Sequence, residues 1–181
     1  MLYPRMSRIK QKFKSIPAIA DISQEVQKQV SKAEIISKIM AGDRVAITAG
    51  SRGIANIEII LKALVDELKA IGASPFIIPA MGSHGGATAA GQAEVLRHYN
   101  ITEETTGAPI VSSMETVKLG KTRDGFPVYM DKNAYQADRV VVVNRIKQHT
   151  DFTGKIESGL VKMMAVGLGK RDGAATYHKA T

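Results

Sequence analysis

Apolar residues recur at helical spacing over residues 20–40. Ile22, Val26, Val30, Ile35, Ile36 and Ile39 fall on one stripe, and Gly42 ends the pattern as a C-terminal glycine does. The run 44–49, Arg-Val-Ala-Ile-Thr-Ala, predicts a short buried strand, and Gly50-Ser51-Arg52-Gly53 a turn. A strong amphipathic helix follows, with Ile57, Ile60, Leu61, Leu64, Leu68 and Ile71 on one face. Asn56 is placed to cap that helix, Glu58 suits its first turn, and Gly72 ends it. Residues 74–80 predict a second strand. Strand, helix and strand in this compass make a βαβ unit, so the two strands should be parallel.

Residues 81–87 form a glycine-rich loop, and Thr88 is placed to cap a helix running to about Tyr99. The pattern over 116–129 predicts a hairpin turning at Asp124-Gly125. Residues 139–143 are β-branched after the first position and predict a central strand. Beyond Asn144 come a loop, a helix near 159–166 and a glycine-rich stretch. The fold class is thus α/β: an open, mostly parallel sheet with flanking helices plus a β-hairpin. Residues 1–42 would be a basic arm with a helix, and 43–181 the main domain.

Composition narrows the function. Apolar residues make up 44% and charged residues 23%, ordinary for a globular protein. Without cysteine there are no disulfides, Cys-zinc sites or thiolate-held clusters, and a reducing cytoplasm is the default expectation. No run approaches the apolar length of a membrane span, so no membrane is expected. The net charge of +8 concentrates at the two ends. Residues 1–40 carry eight Lys or Arg against three Asp or Glu, and residues 145–181 carry seven against three. The first block reads as a solvated or partner-facing surface. The second coincides with a glycine- and histidine-bearing segment and suits an anionic ligand. Aromatics are only 5% and do not interleave with the basic residues, so nucleic acid is not expected as a partner.

Three of the four histidines are expected in loops: His84 between glycines in Gly82-Ser83-His84-Gly85-Gly86, His149 in Gln148-His149-Thr150, and His178 near the end. His98 falls on a helix and is assigned to the surface. His84 and His149 are either water-exposed turn residues or a pair of acid/base groups facing one substrate. Arg52 opens a turn after a strand and either makes a surface ion pair or grips a carboxylate through two parallel hydrogen bonds. Lys162 sits in an apolar run and either snorkels to solvent or is held as a reactive amine. The loops at 50–53, 81–87 and 144–150 each follow the carboxyl end of a strand. In a parallel sheet that edge holds ligands, so Arg52, His84 and His149 should share a crevice.

In this order and spacing, Ser51-Arg52, Gly82-Ser83-His84, His149, Ser158-Gly159-Leu160-Val161-Lys162 and His178 resemble the N-terminal domain of the nickel-dependent lactate racemase family. The resemblance covers roughly residues 43–181. It implies a two-domain enzyme that racemises or epimerises a 2-hydroxy acid with a nickel pincer nucleotide. Arg52 would bind the substrate carboxylate, and His84 and His149 would be the two acid/base groups. Lys162, with Ser51 and Gly159, would hold the cofactor, Lys162 through a covalent link, and His178 would be the metal ligand. Pincer-cofactor synthesis proteins would be partners, and a homo-oligomer is possible. A C-terminal domain that closes the cleft in the family is expected to be missing from this chain, leaving this part inactive alone.

Two departures fall in the pocket. Ala49 and Gly50 precede Ser51-Arg52 where the family's lactate racemases commonly carry an aspartate. The stretch between His149 and Lys162 is longer, with Glu157-Ser158-Gly159 in place of a double glycine. Both point to a larger or differently charged 2-hydroxy acid. The competing readings are a cofactor- or anion-binding domain without turnover, and a metallohydrolase with His84, His149 and His178 as ligands.

Overall fold

The computed structural model describes residues 6–13, 17–32, 36–147, 153–154 and 158–180. The expected helix over 20–40 is α1 (Ile22–Lys32), followed after residues 33–35, which lie outside the described residues, by a 3-10 turn, Ile36–Lys38. Val30 and Ile39 are buried in the core, and Gly42 turns the chain with φ 89°. Strand β1 (Arg44–Ala49) has five consecutive buried residues, as a strand covered on both faces must. Helix α2 (Ile57–Ala70) buries Ile57, Leu61, Leu64, Val65 and Leu68. Asn56 does not cap it. It takes a left-handed conformation, φ 57°, and its side chain makes no cap bond. Asparagine tolerates that conformation, so it serves here as a turn residue.

Strand β2 (Ser74–Pro79) runs parallel to β1, Ala46 facing Phe76 and Ile47 facing Ile77, as the βαβ reading requires. Helix α3 (Ala89–His98) starts at Thr88, whose hydroxyl accepts the Gly91 N–H at 3.0 Å. A short α4 (Glu103–Thr106), capped by Thr102, was not anticipated. The hairpin is β3 (Thr116–Lys121) and β4 (Pro127–Asp131), antiparallel, with a bulge between Lys118 and Gly120. A turn of helix, α5 (Lys132–Tyr135), leads to β5 (Arg139–Val141).

Strand β5 is not central. It pairs with β1 over three residues, and β1 occupies the middle of the order β2-β1-β5. After Val141 the chain leaves the ladder, and the Val143 N–H donates instead to the buried Thr48 hydroxyl at 3.0 Å. β-branched residues fit any partly buried pleated surface, so their run marks a strand and not its rank in the sheet.

Alternation along β1 splits the core in two. Val45, Ile47 and Ala49 face α2, Leu96 and Ile101, while Ala46 joins Phe76, Ile78, Ala134, Met163 and Leu168 on the other side. That second layer is closed by α6 (Leu160–Lys162), a π-helical turn (Met163–Gly167) and α7 (Lys170–Ala180), which packs on β4. Helix α7 replaces the expected glycine-rich irregular stretch, so His178 is a helix residue and not a loop residue. No helix among the described residues is long and apolar enough to cross a membrane.

Candidate functional site

The chain turns after Ala49 at the carboxyl end of β1, after Pro79 at that of β2, and after Val143 beyond β5. These exits open on one side of the sheet. Opposite them lie α6, the π turn and α7. Between the two walls is a cleft of about 540 Å³, lined by Ser51 and Arg52 from the first exit, Met81, Ser83 and His84 from the second, and Asn144, Arg145 and Lys147 from the third. Ser158, Lys162, Tyr177 and His178 line the facing wall. The expectation that Arg52 and His84 share a crevice is met. His149 lies outside the described residues.

The His84 loop is held from several directions. The Ser51 hydroxyl lies 2.5 Å from His84 Nδ1, and the Tyr99 hydroxyl donates to the Ser51 carbonyl at 3.1 Å. The buried Gln92 amide donates to the Gly82 and His84 carbonyls at 2.8 and 3.2 Å. Gly82 has φ 61°, which glycine adopts without a Cβ penalty, and its N–H donates to the Gly167 carbonyl at 3.2 Å. Gly167 permits the contact between the two walls, because a Cβ there would lie 2.6 Å from the Ala80 carbonyl oxygen.

Gly159 does not line the cleft. It is buried with φ 78°, and its carbonyl accepts from the Asn144 amide at 2.9 Å, joining the third exit to the start of α6. Lys162, Arg52, His84 and His178 are exposed to the open cleft. Arg52, Arg145, Lys147 and Lys162 give the cleft four cations, and no carboxylate is among its described lining residues. Such a surface favours anions. The described residues bring no group of three His, Cys, Asp or Glu side chains together for a metal. His84 and His178 have no third such partner among them, and His149, the third ligand of the expected three-histidine hydrolytic centre, lies outside the described residues.

Several participants were missed from sequence. Arg145, Lys147 and Tyr177 carry no local motif. Lys170 looks like one more surface cation, yet it is fully buried. Its Nζ lies 2.9 Å from Asp131 Oδ2 and donates to the Pro79 carbonyl at 2.5 Å and to Gln92 Oε1 at 3.2 Å. Only the partner, thirty-nine positions earlier, could have signalled that burial.

No curated protein matches the chain. A family model described as the lactate racemase N-terminal domain matches residues 6–181, nearly the whole length, including every side chain that builds the cleft. With that extent of match, over a parallel α/β sheet whose strand exits carry the site, the chain belongs to the lactate racemase N-terminal domain family.

Proposed function

We propose that the cleft binds a 2-hydroxy acid beside a nickel pincer nucleotide and that the protein racemises or epimerises that acid. One observation carries the reading: Arg52, His84, Lys162 and His178, from separate segments, meet in one cleft with no described carboxylate in its lining. The residues present suit the cofactor. His178 offers an imidazole nitrogen to a metal, Lys162 an amine to a cofactor arm, and Arg145 and Lys147 charge for a phosphate.

When bound, the cofactor supplies an acceptor and donor of hydride for the substrate's C2 hydrogen. The protein's share is positioning and proton transfer. Arg52 holds the carboxylate, with two parallel hydrogen bonds open to a guanidinium. Ser51 occupies Nδ1 of His84, leaving Nε2 to take the hydroxyl proton as C2 becomes trigonal and to return it afterwards. By the family resemblance His149 performs the same task for the other enantiomer. Hydride supplied back to the opposite face of the flat 2-keto acid would invert the centre. Pincer-cofactor synthesis proteins are the partners this requires, and the cytoplasm is the compartment it suits.

The test is nickel content of the full-length protein produced with cofactor-synthesis proteins, with His178→Ala as control, followed by a chiral assay over 2-hydroxy acids. Near-stoichiometric nickel that is lost in the variant, together with conversion of one enantiomer, is expected. A folded protein without nickel would overturn the reading in favour of an anion-binding domain.

A further inference from the structure

Lys170 stands where three parts of the site's framework meet. Its ammonium donates to the Pro79 carbonyl that ends β2 and to Gln92 Oε1 on α3, and it lies 2.9 Å from Asp131 Oδ2 at the end of β4 as an ion pair in which that oxygen accepts no hydrogen bond among the described residues. Asp131 is itself tied down, its Oδ1 accepting from the Asn133 and Ala134 N–H groups at 2.7 and 3.0 Å. Lys170 also begins α7, the helix of Tyr177 and His178, and does so with φ 52°, left-handed backbone that is unfavourable for a side-chain-bearing residue.

The Gln92 contact has a directional consequence. An ammonium only donates, so the Gln92 oxygen must face it. The Gln92 NH₂ must then face the other way, and there it meets the Gly82 and His84 carbonyls. Lys170 thus sets which end of the amide holds the His84 loop. A buried ion pair is weak as a source of stability, since apolar residues of similar volume often replace one without loss. Left-handed backbone adds strain, which structures retain where surrounding contacts over-determine it. What this arrangement delivers that an apolar plug would not is a fixed direction of hydrogen bonding.

We propose that Lys170 is a positioning residue for the cleft: one buried ammonium locks the His84 loop, through Gln92, to the helix that carries His178. The role assigned to that locking rests on the proposed racemase function, in which His84 moves a proton and His178 faces the cofactor.

Two variants of the intact protein test it. Gln92→Met cuts the strap and leaves the Lys170–Asp131 pair. Lys170→Met with Asp131→Asn removes both charges and leaves Oδ1 to accept its two N–H groups. The readouts are amide hydrogen exchange across the chain and the His84 imidazole NMR resonances, followed by kcat and KM on the hydroxy acid that the chiral assay identifies. In each variant, exchange at 82–87 should rise at least tenfold and the His84 resonances should move, while α2 stays protected. Turnover should show a fall in kcat with little change in KM.

Unchanged protection and resonances at 82–87 in Gln92→Met would overturn the proposal, as would a loss of protection spread evenly over all elements. If the double variant does not fold, Gln92→Met decides alone. The expected exchange and NMR changes in a protein without nickel or racemase activity would uphold the lock and sink the proposed function instead.

Discussion

The Ser51 hydroxyl lies 2.5 Å from Nδ1 of His84, bringing the exit of β1 to the exit of β2 through one hydrogen bond. The bond fixes the plane of the imidazole and commits one of its two nitrogens. The other is left for chemistry. Ser51 is itself steadied by Tyr99, so the line of support runs back to the end of α3.

Ser51→Ala should therefore lower kcat by about tenfold or more, the scale lost when an acid/base group is mis-set. Threonine keeps the hydroxyl and should restore most of the rate. Steady-state kinetics of the three proteins decides the point, and an alanine variant with wild-type kcat would remove Ser51 from the mechanism.

Arg52→Lys keeps the charge but loses the planar fork. A hydrogen bond to a charged group contributes about 1.5–3 kcal/mol, so KM for the hydroxy acid should rise on the order of tenfold or more. Competitive inhibition by simple carboxylates should weaken in parallel. If KM holds and only kcat falls, the guanidinium has a role other than gripping the carboxylate.

Burial lowers the pKa of the Lys170 ammonium below its ordinary value, and Asp131 only partly offsets that. Between the folded and unfolded pKa values the unfolded chain binds the extra proton. Stability from this group then rises as pH climbs through that window, and its penalty is full below the folded value. From neutral pH upward toward the ordinary lysine range, wild type should gain urea resistance relative to the Lys170→Met, Asp131→Asn protein. A difference in midpoint that shrinks over that range would contradict the sign.

Two glycines on the same side of the protein should respond differently to alanine. At Gly167 a Cβ would lie 2.6 Å from the Ala80 carbonyl and 2.8 Å from Met163 Sδ, so the walls must separate, at about 1–3 kcal/mol. Gly86 has open space around it but φ 65°, so backbone strain of about 1–2 kcal/mol is the only penalty. Thermal melts compare the stabilities. Only Gly167→Ala should also alter ligand binding, since it moves the π turn that flanks Lys162.

The first half of the fold was legible because each element there announces itself locally. The stripe on α2 and the apolar runs of β1 and β2 need no distant partner to be recognised, and a βαβ unit follows from their order. Arg52 and His84 were found because they sit on turns that this order places at one sheet edge. The second half was less legible. Around the start of α7, Gly169, Gly173 and the small residues look like loop, but the two glycines let the helix approach the π turn, a Cβ at Gly169 falling 2.7 Å and one at Gly173 3.2 Å from the Ala165 carbonyl oxygen. The buried state of Lys170 depends on Asp131 across the chain, and the rank of β5 on where Asn144 turns away. Neither is a local property.

The π turn at Met163–Gly167 sets the phase between the two ends of the facing wall. Lys162 and His178 are sixteen positions apart. On one unbroken α-helix, at about 100° per residue, they would point roughly 160° away from each other. The wider turn and the left-handed step at Lys170 break the rod, and both side chains line the same cleft. Straightening the segment into one regular helix, of the kind that stability engineering favours, would rotate amine and imidazole out of phase. Here an irregularity in hydrogen bonding is what keeps two distant positions in sequence on speaking terms.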